Sequence, residues 1–380
     1  MAGARSLPAL LRVRAQRRLS PARDPGVLRS AGVEPTANLK DYSLARLRDR
    51  LASDGLPAYR ADQIAAWLYR RGVEDPDAMT DLPVDIRARL ANDFELRALE
   101  IHGVERSRDG TQKAALRARD GSLVESVLIP EEDRTTLCVS TQVGCPMACS
   151  FCATGALGFR RNLSTAEIID QVCRMRELSA EGSVISNVVF MGMGEPLLNS
   201  AAVIEAARLL IDPKAFGLAP RRVTVSTVGV VPQIGPLLEQ VPVNLAVSLH
   251  ATTDAVRDRL VPLNRRYPLD ALLGALRSDP RITVRRPVFF EYTLMRGVND
   301  SLADARRLPG LLHGIPSKLN LIPMNPHPDA PYEAPTAAEV DRFMRELASR
   351  RVTVTVRRSR GEDIQAACGQ LALRGVERAA

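Results

Sequence analysis

The chain has 380 residues, 45% of them hydrophobic and 25% charged, which is ordinary for a globular protein with one large domain and a smaller one. No apolar run reaches the roughly 18 residues that a membrane-spanning helix needs, which excludes an integral membrane protein. The net charge is +8, but seven arginines and two acids place +5 of it in residues 1–37, so the remaining +3 is weak evidence for a nucleic-acid partner.

The first segment, residues 1–37, is rich in Arg, Pro, Ala and Ser and lacks sustained periodicity. That pattern is typical of a disordered or over-extended start, and also of an organellar targeting segment. It lacks the apolar core and small-residue cleavage site of a secretory signal. The six cysteines, three of them within eight residues, do not resemble a secreted disulfide framework. We therefore expect a cytoplasmic protein with no membrane partner.

Two small regions are predicted before the main domain. Apolar residues recur at helical spacing from Leu44 to Leu51 and again over residues 61–69 and 84–93, which predicts a helical accessory domain over residues 38–97. Over residues 98–133 the period falls toward two and Asp-Gly pairs mark turns, which predicts a short β-meander leading into the next domain.

From residue 134 to 375, apolar β runs alternate with helical stretches. Strands are predicted over residues 136–141, 185–191, 222–226, 243–249, 284–292, 318–322 and 352–356. Helices are predicted over residues 165–178, 201–210, 232–239, 302–312 and 337–349. The alternation indicates an α/β fold with a parallel sheet, and six or so units predict a partial (β/α)6 barrel. Such a barrel carries its chemistry at the carboxyl ends of the strands.

Cys145, Cys149 and Cys152 form a C-x3-C-x2-C loop directly after the first predicted barrel strand. Three thiolates can hold three irons of a 4Fe–4S cubane and leave the fourth iron open. S-adenosylmethionine (SAM) can chelate that iron, and an electron from the cluster then splits its sulfonium. Structural zinc is the rival, but it needs four ligands and no histidine lies near this loop in sequence. The pattern favours an iron–sulfur cluster, which Phe151 would help to screen from water.

Other candidate residues have an ordinary structural explanation when each is taken alone. An isolated cysteine is usually a buried small hydrophobe, a strand glutamate such as Glu125 usually faces solvent, and His250 suits a packed core histidine. Adjacent arginines usually mark solvated ends of elements, although together they could line one face. Such pairs recur along the chain, for example at 160–161, 221–222, 265–266, 285–286 and 357–358. The residues alone leave these alternatives open.

Long runs of the chain resemble the RlmN/Cfr family of radical SAM RNA methyltransferases, with the closest likeness to its RlmN branch. The likeness covers about residues 38–375. The matching runs are SVLIPEEDR at 126–134, TLCVSTQVGC at 136–145, GFRRNL at 158–163, MGMGEP at 191–196, NLIPMN at 320–325 and RGEDIQAACGQ at 360–370.

The resemblance implies roles for individual residues. Cys368 matches the methyl-carrying cysteine, Cys138 the resolving cysteine and Glu125 the proposed base. Cys173 matches nothing functional and is interpreted as structural. The cluster ligands are Cys145, Cys149 and Cys152. The implied SAM contacts are Gly194, Glu195, Ser226, Ser248, Leu249, His250 and Asn325.

The resemblance also implies a reaction that consumes two SAM molecules. One methylates Cys368, and the other yields a 5′-deoxyadenosyl radical that removes hydrogen from this methyl group. The resulting methylene radical adds to carbon 2 of adenine, in adenosine 2503 of 23S rRNA or adenosine 37 of tRNA, and Glu125 takes the ring proton. Cys138 then attacks the sulfur of Cys368, which frees the product and leaves a disulfide. The implied partners are 23S rRNA, tRNA and an electron donor such as flavodoxin, and we expect a monomer.

Two alternatives stay open at this point. A Cfr-like enzyme would methylate carbon 8 of the same adenine and confer antibiotic resistance; the overall likeness and the full-length helical domain favour the RlmN branch. A non-catalytic RNA-binding protein with a structural metal is the other, but it would not need two further cysteines at the carrier and resolving positions.

Overall fold

A computed structural model describes residues 37–179 and 184–373. Most of the predicted N-terminal tail and the last two residues of the predicted barrel domain lie outside these ranges. The helices are α1 Leu44–Ser53, α2 Tyr59–Ala65, α3 Val84–Asp93, α4 Ala153–Ala156, α5 Thr165–Leu178, α6 Ser200–Ile211, α7 Val231–Gln240, α8 Asp254–Leu260, α9 Leu269–Ser278, α10 Leu302–Leu312 and α11 Ala337–Ala348. The strands are β1 Ala37–Asn38, β2 Phe94–Glu95, β3 Leu99–Arg106, β4 Gln112–Ala118, β5 Leu123–Pro130, β6 Thr135–Cys138, β7 Gln142–Gly144, β8 Phe159–Asn162, β9 Asn187–Phe190, β10 Val223–Thr227, β11 Asn244–Ser248, β12 Val288–Leu294, β13 Ser317–Pro323 and β14 Val354–Val356.

Ten of these strands form one sheet in the order β14-β13-β12-β11-β10-β9-β6-β5-β4-β3. The strands from β6 through β9 to β14 pair in parallel, whereas β3, β4, β5 and β6 pair antiparallel. The predicted meander is present, but it continues the barrel sheet through the β5–β6 pairing. Helices connect the parallel strands, so the carboxyl ends of these strands meet at one edge of the sheet.

Helices α5 and α10 begin and end where the sequence predicts. Both start at a serine, Ser164 or Ser301, whose hydroxyl accepts a hydrogen bond from a first-turn backbone N–H, so each N-terminus is well marked in sequence. Helices α8 and α9 and the short β7–β8 pair lie outside the predicted set. The strand predicted from residue 284 begins instead at Val288, because Val284 lies in a tight turn and is 87% exposed.

The N-terminal helices pack on α5 through a buried ionic network. The side chain of Lys40 is fully buried and bonds to Glu74 and Asp170, and Arg174 also pairs with Glu74. The second oxygen of Asp170 accepts hydrogen bonds from the backbone of Ala98 and Leu99, at 2.8 and 2.7 Å. The network therefore fastens the segment before α1, the loop between α2 and α3 and the start of β3 to one helix of the barrel.

None of the helices in the described ranges combines the length and the apolar character that crossing a membrane requires.

Candidate active site

One pocket opens where the carboxyl ends of the parallel strands meet. Strand residues at its wall come from β9, β10, β11, β12 and β13, as expected for a barrel of this kind. The loop with the three cysteines forms a second wall, and Cys368 with Gly369 forms a third. The sequence-predicted residues that line this pocket are Cys145, Cys149, Cys152, Gly194, Glu195, Ser226, Ser248, His250 and Cys368.

Two glycines shape the cysteine loop. Gly144 has φ +75°, and a Cβ there would lie 1.9 Å from the carbonyl oxygen of Gly158. That close approach lets the backbone N–H of Cys145 donate to the same carbonyl at 2.8 Å. A Cβ on Gly155 would lie 3.1 Å from the backbone of Cys149. The loop is thus folded tightly on itself, with its three thiols at the pocket.

The three thiols fit an iron–sulfur cubane better than a single zinc ion. Two thiolates on one tetrahedral zinc are about 3.8 Å apart, given a Zn–S distance of about 2.3 Å. The sulfur atoms of Cys145, Cys149 and Cys152 do not all lie within 4.8 Å of one another in the described structure. Burial raises the pKa of Cys145 to about 12 and raises those of Cys149 and Cys152, so bound iron would have to supply the charge that stabilises the thiolates.

The strand end at residues 191–196 places a carboxylate in the pocket. Gly194 has φ +103°, and a Cβ there would lie 2.6 Å from that of Gln142, so only glycine fits. Glu195 is buried and accepts hydrogen bonds from the backbone N–H of Leu197 at 3.0 Å and of Val228 at 2.9 Å. Burial raises the pKa of Glu195 to about 7. No cationic side chain of the described residues pairs with it, so it can accept an ammonium group of a ligand.

His250 is both packed and part of the pocket wall. It has φ +57°, its Nδ1 accepts from the backbone N–H of Thr293 at 3.0 Å, and its ring meets that of Phe151 edge-on at 4.7 Å. Burial and the nearby charge of Arg257 lower the pKa of His250 to about 3, so the ring is neutral. Leu249, by contrast, is fully buried in the core and does not line the pocket.

The C-terminal segment lies across the mouth of the pocket and holds Cys368 beside the cysteine loop. The side chain of Asn325 donates to the carbonyl of Cys368 at 3.0 Å. The backbone N–H of Ala153 donates to the carbonyl of Gly369 at 2.7 Å, and the Thr154 hydroxyl donates to the carbonyl of Leu371 at 2.6 Å. Asn325 therefore positions Cys368 and does not line the pocket itself.

Cys138 lies behind the pocket wall at the end of β6. Its thiol is buried, and burial raises its pKa to about 12. The neighbouring Cys368 adds to this rise, and the charge of Arg357 opposes it. The same guanidinium is close enough to Cys368 for that thiol to raise the pKa of Arg357, with Glu291 adding to the effect. Arg357 thus lies near both thiols. Cys138 and Cys368 are free thiols in this structure, so the implied disulfide is not formed here.

Glu125 is fully buried, so the expectation that a strand glutamate faces solvent is wrong here. Its carboxylate lies 3.3 Å from Nζ of Lys113 and accepts from the backbone N–H of Leu373 at 3.0 Å. Burial raises the pKa of Glu125 despite the attraction of Lys113. The carboxylate does not line the pocket but lies under the segment that carries Cys368.

Comparison with known proteins places this arrangement in a family. Residues 139–308 match the radical SAM superfamily, and residues 37–96 match the ribosomal RNA large subunit methyltransferase N-terminal domain. The dual-specificity RNA methyltransferase RlmN of Geotalea uraniireducens is 49% identical over 88% of this chain and 96% of its own length. That of Geobacter sulfurreducens is also 49% identical, over 88% of this chain and 91% of its own length. The chain belongs to the RlmN family.

A solved structure supports the same assignment. A radical SAM methyltransferase from Sphaerobacter thermophilus superposes with a TM-score of 0.83 and is 47% identical, over 88% of this chain and 99% of its own. The resemblance to the RlmN branch and the radical SAM α/β fold with a helical N-terminal region are thus confirmed. In this member of the RlmN family, the parallel part of the sheet has seven strands, one for each of the seven strands predicted after residue 134.

Three charged groups at the site escaped the sequence analysis. Arg357 belongs to a pair interpreted as a solvated element end, yet it lines the pocket, with Nη1 3.9 Å from the sulfur of Met191. Glu291 lines the pocket from β12, and Arg257 lies buried on α8. Of the three, only Arg357 carries a signal in the sequence, as one of two adjacent arginines. No sequence pattern indicates a role for Glu291 or Arg257. In a second pair, Arg161 near the end of β8 is partly exposed and bound by Asp120 and Glu167.

Proposed function

We propose that this chain is a radical SAM methyltransferase that methylates carbon 2 of adenine in 23S rRNA and tRNA, using Cys368 as the methyl carrier. The observation that carries the proposal is the position of Cys368. It faces the same pocket as the cysteine triplet and Glu195, on a segment anchored across the pocket mouth. The relatives' name, dual-specificity RNA methyltransferase, supports RNA as the substrate.

Cys145, Cys149 and Cys152 would hold a 4Fe–4S cluster, and SAM would occupy the adjoining pocket. When bound, the cluster supplies the electron that splits SAM and so provides the radical chemistry. The chain's part is to orient SAM. Glu195 accepts its ammonium, and Gly194 lets the backbone approach it closely. The other implied contacts, Ser226, Ser248 and His250, line the same pocket from the ends of β10 and β11.

Cys368 and Cys138 would divide the transfer between them. Cys368 accepts a methyl group from one SAM and carries it to the ring. Cys138 then attacks the sulfur of Cys368, so that the S–C bond breaks, a disulfide forms and an external reductant later opens it. Because the thiolate is the nucleophile, the guanidinium of Arg357 would assist Cys138 by opposing the rise in pKa that burial causes.

Glu125 is the proposed base that removes the proton from the ring carbon. Burial raises the pKa of Glu125 toward neutral pH, which suits a group that must gain a proton and then return it. Lys113 touches Glu125 and also lies 3.1 Å from the carboxylate of Glu105, which is 39% exposed. The chain Glu125–Lys113–Glu105 would therefore link the buried base to solvent.

The accessory domain over residues 38–97 would hold the folded RNA, because the pocket itself must accept an extruded base. Its helices present exposed cations, and the guanidinium of Arg71 stacks 3.9 Å from the centre of the Trp67 ring. We propose that the enzyme works in the cytoplasm as a monomer and receives its electron from a donor such as flavodoxin.

Product analysis tests the function. The enzyme, reconstituted with iron and sulfide without oxygen, would be given SAM, a reductant and either a 23S rRNA fragment or tRNA. Nuclease digestion and mass spectrometry against 2-methyl and 8-methyladenosine standards should identify the 2-methyl product, and Cys368→Ala should make none. The 8-methyl product would favour the Cfr-like alternative. Absence of methylated adenosine with an intact cluster would favour the non-catalytic RNA-binding alternative.

A further inference from the structure

Arg257 is a buried cation at the floor of the site. Its side chain is 1% exposed and donates to three backbone carbonyls. Nε binds the carbonyl of Leu249 at 3.0 Å, and Nη2 binds those of Ser248 at 3.0 Å and Val228 at 2.6 Å. These carbonyls lie at the ends of β10 and β11, which carry SAM-pocket residues. Arg257 therefore joins the two strand ends directly behind the pocket wall.

No carboxylate among the described residues lies within ion-pair distance of this guanidinium. Its fourth partner is an amide, since Nη1 donates to Oδ1 of Asn264 at 2.8 Å. The amide nitrogen of Asn264 in turn donates to Asp254 at 2.9 Å and Asp258 at 2.6 Å. The nearest acids are thus one amide away, and Asp254 is exposed to water. A buried charge left without a direct counter-charge is costly unless a ligand supplies one.

The cysteine loop lies against the helix that bears Arg257. The backbone N–H of Ser150 donates to the carbonyl of Leu260, the last residue of α8, at 3.1 Å. Cys149 packs in one apolar cluster with Leu260 and Val261. Burial lowers the pKa of Arg257, while Cys149, Asp254 and Asp258 act to raise it. The helix that bears Arg257 therefore packs against the cysteine loop on the side of Cys149.

We propose that Arg257 is the counter-charge of the cluster held by Cys145, Cys149 and Cys152, and that it raises the reduction potential of this cluster. The inference rests on the proposed function. Three thiolates make the cluster site anionic, and one added electron makes it more so. A fixed cation in a buried site stabilises the more negative, reduced form, because charges interact strongly where water is excluded. Arg257 is a positioning residue, since it acts through the cluster and the strand ends.

Potentiometric titration of the reconstituted holoenzyme with dithionite, followed by electron paramagnetic resonance of the reduced cluster, tests this directly. Neutral Arg257→Gln should make one-electron reduction at least tenfold less favourable, a fall of about 59 mV in midpoint potential. Arg257→Lys should keep most of the wild-type potential. Arg286→Gln is the matched control, since Arg286 binds the carbonyls of Val241 and Val243 before β11, at its other end. That variant should leave the potential unchanged.

An unchanged potential in Arg257→Gln, even with weaker SAM binding, would overturn the proposal and leave Arg257 with a purely structural role. If the neutral variant folds by circular dichroism but loses its iron, retention of iron by Arg257→Lys would support the charge argument. Loss of iron from both variants alike would contradict it. A wild-type protein that assembles no cluster would instead overturn the proposed function, so the two failures are distinguishable.

Discussion

Two regions of the molecule bury charge, and they do so differently. Under the N-terminal helices, the cations Lys40 and Arg174 meet Glu74 and Asp170 directly. At the pocket, Glu195 meets two backbone N–H groups and the side chain of Thr227 but no cation, while Arg257 meets three carbonyls and an amide and no anion.

The difference separates a structural from a functional use of buried charge. Removing one partner of a closed ionic network leaves the other charge buried and unpaired, so such a network fixes how elements pack. Buried charged groups without counter-charges lower stability unless a ligand supplies the opposite charge. Such groups are therefore candidates for binding and catalysis. The carboxylates of Glu74 and Asp170 and the thiol of Cys173 also lie within 4.8 Å of one another, but Lys40 and Arg174 already neutralise this group.

The largest effect is expected from the cysteine triplet. Replacing Cys145, Cys149 or Cys152 singly with Ala leaves two thiolates, too few to retain a cubane stably, so methylation should fall to background. Iron content and the visible absorbance of the cluster would be measured beside activity. Cys173→Ala is the matched control, because this cysteine is buried like Cys145 and Cys149 but lies on α5 by the ionic network. A triplet variant with normal iron and turnover would refute the cluster assignment.

Glu125→Gln is expected to slow methyl transfer to RNA by roughly 10²- to 10⁴-fold, because a positioned base contributes that much. Formation of 5′-deoxyadenosine from SAM should persist, since Glu125 lies outside the pocket wall. Lys113→Met is the companion variant, and it should slow transfer less. Equal losses of SAM cleavage and RNA methylation in Glu125→Gln would mean that the residue only supports the C-terminal segment.

Lys40→Met tests the closed network. The change leaves Asp170 buried without its closest cation, so the free energy of unfolding should fall by about 3–5 kcal/mol. Urea denaturation followed by circular dichroism measures it. SAM affinity of the folded fraction should stay the same, since Lys40 contacts α5 and not the pocket. A loss of SAM affinity without a loss of stability would reverse the contrast between the two regions.

The smallest effect concerns the contact between Asp109 and the C-terminal segment. Burial acts to raise the pKa of Asp109, but hydrogen bonds from Thr111 and from the backbone N–H of Gly361 outweigh it and lower the pKa to about 2. Because the pKa of Asp109 is lower in the folded state than in the unfolded state, its carboxylate stabilises the fold at pH values above the unfolded-state pKa. This stability is lost as the pH falls toward 2. Asp109→Asn should be on the order of 1 kcal/mol less stable at neutral pH after solvent screening, and the gap should close with acid. A gap that stays constant with pH in urea denaturation would contradict this.

The fold was largely predictable because local signals and tertiary structure agree. Capping serines and apolar periodicity define α5 and α10, and unbroken β runs define the parallel strands. The burial of Glu125 on β5 was not predictable. A segment 248 residues later in the chain covers it, and there the backbone N–H of Leu373 donates to its carboxylate. The first barrel strand also ends early, at Cys138, and just beyond it the backbone N–H of Ser140 donates to the side chain of Gln171 at 2.7 Å.

The candidate site divides in the same way. The cysteine spacing and the family resemblance identified nine residues that line the pocket, while Leu249 packs in the core and Asn325 holds Cys368 from outside. Arg257 and Glu291 have no sequence signature, because an arginine on a helix and a glutamate in a strand are ordinary surface choices. Only the packing of α8 and β12 against the pocket makes them buried.

The central claim is that a methylene group passes from Cys368 to adenine and that Cys138 releases it. Cys138→Ala, incubated with SAM, a reductant and labelled RNA, should stop after ring attack with RNA covalently attached. A denaturing gel would show the adduct, and nuclease digestion with peptide mass measurement should map it to Cys368. Cys368→Ala and the double variant should give neither product nor adduct, because the carrier is missing. Normal turnover by Cys138→Ala, or an adduct on Cys173, would contradict the account.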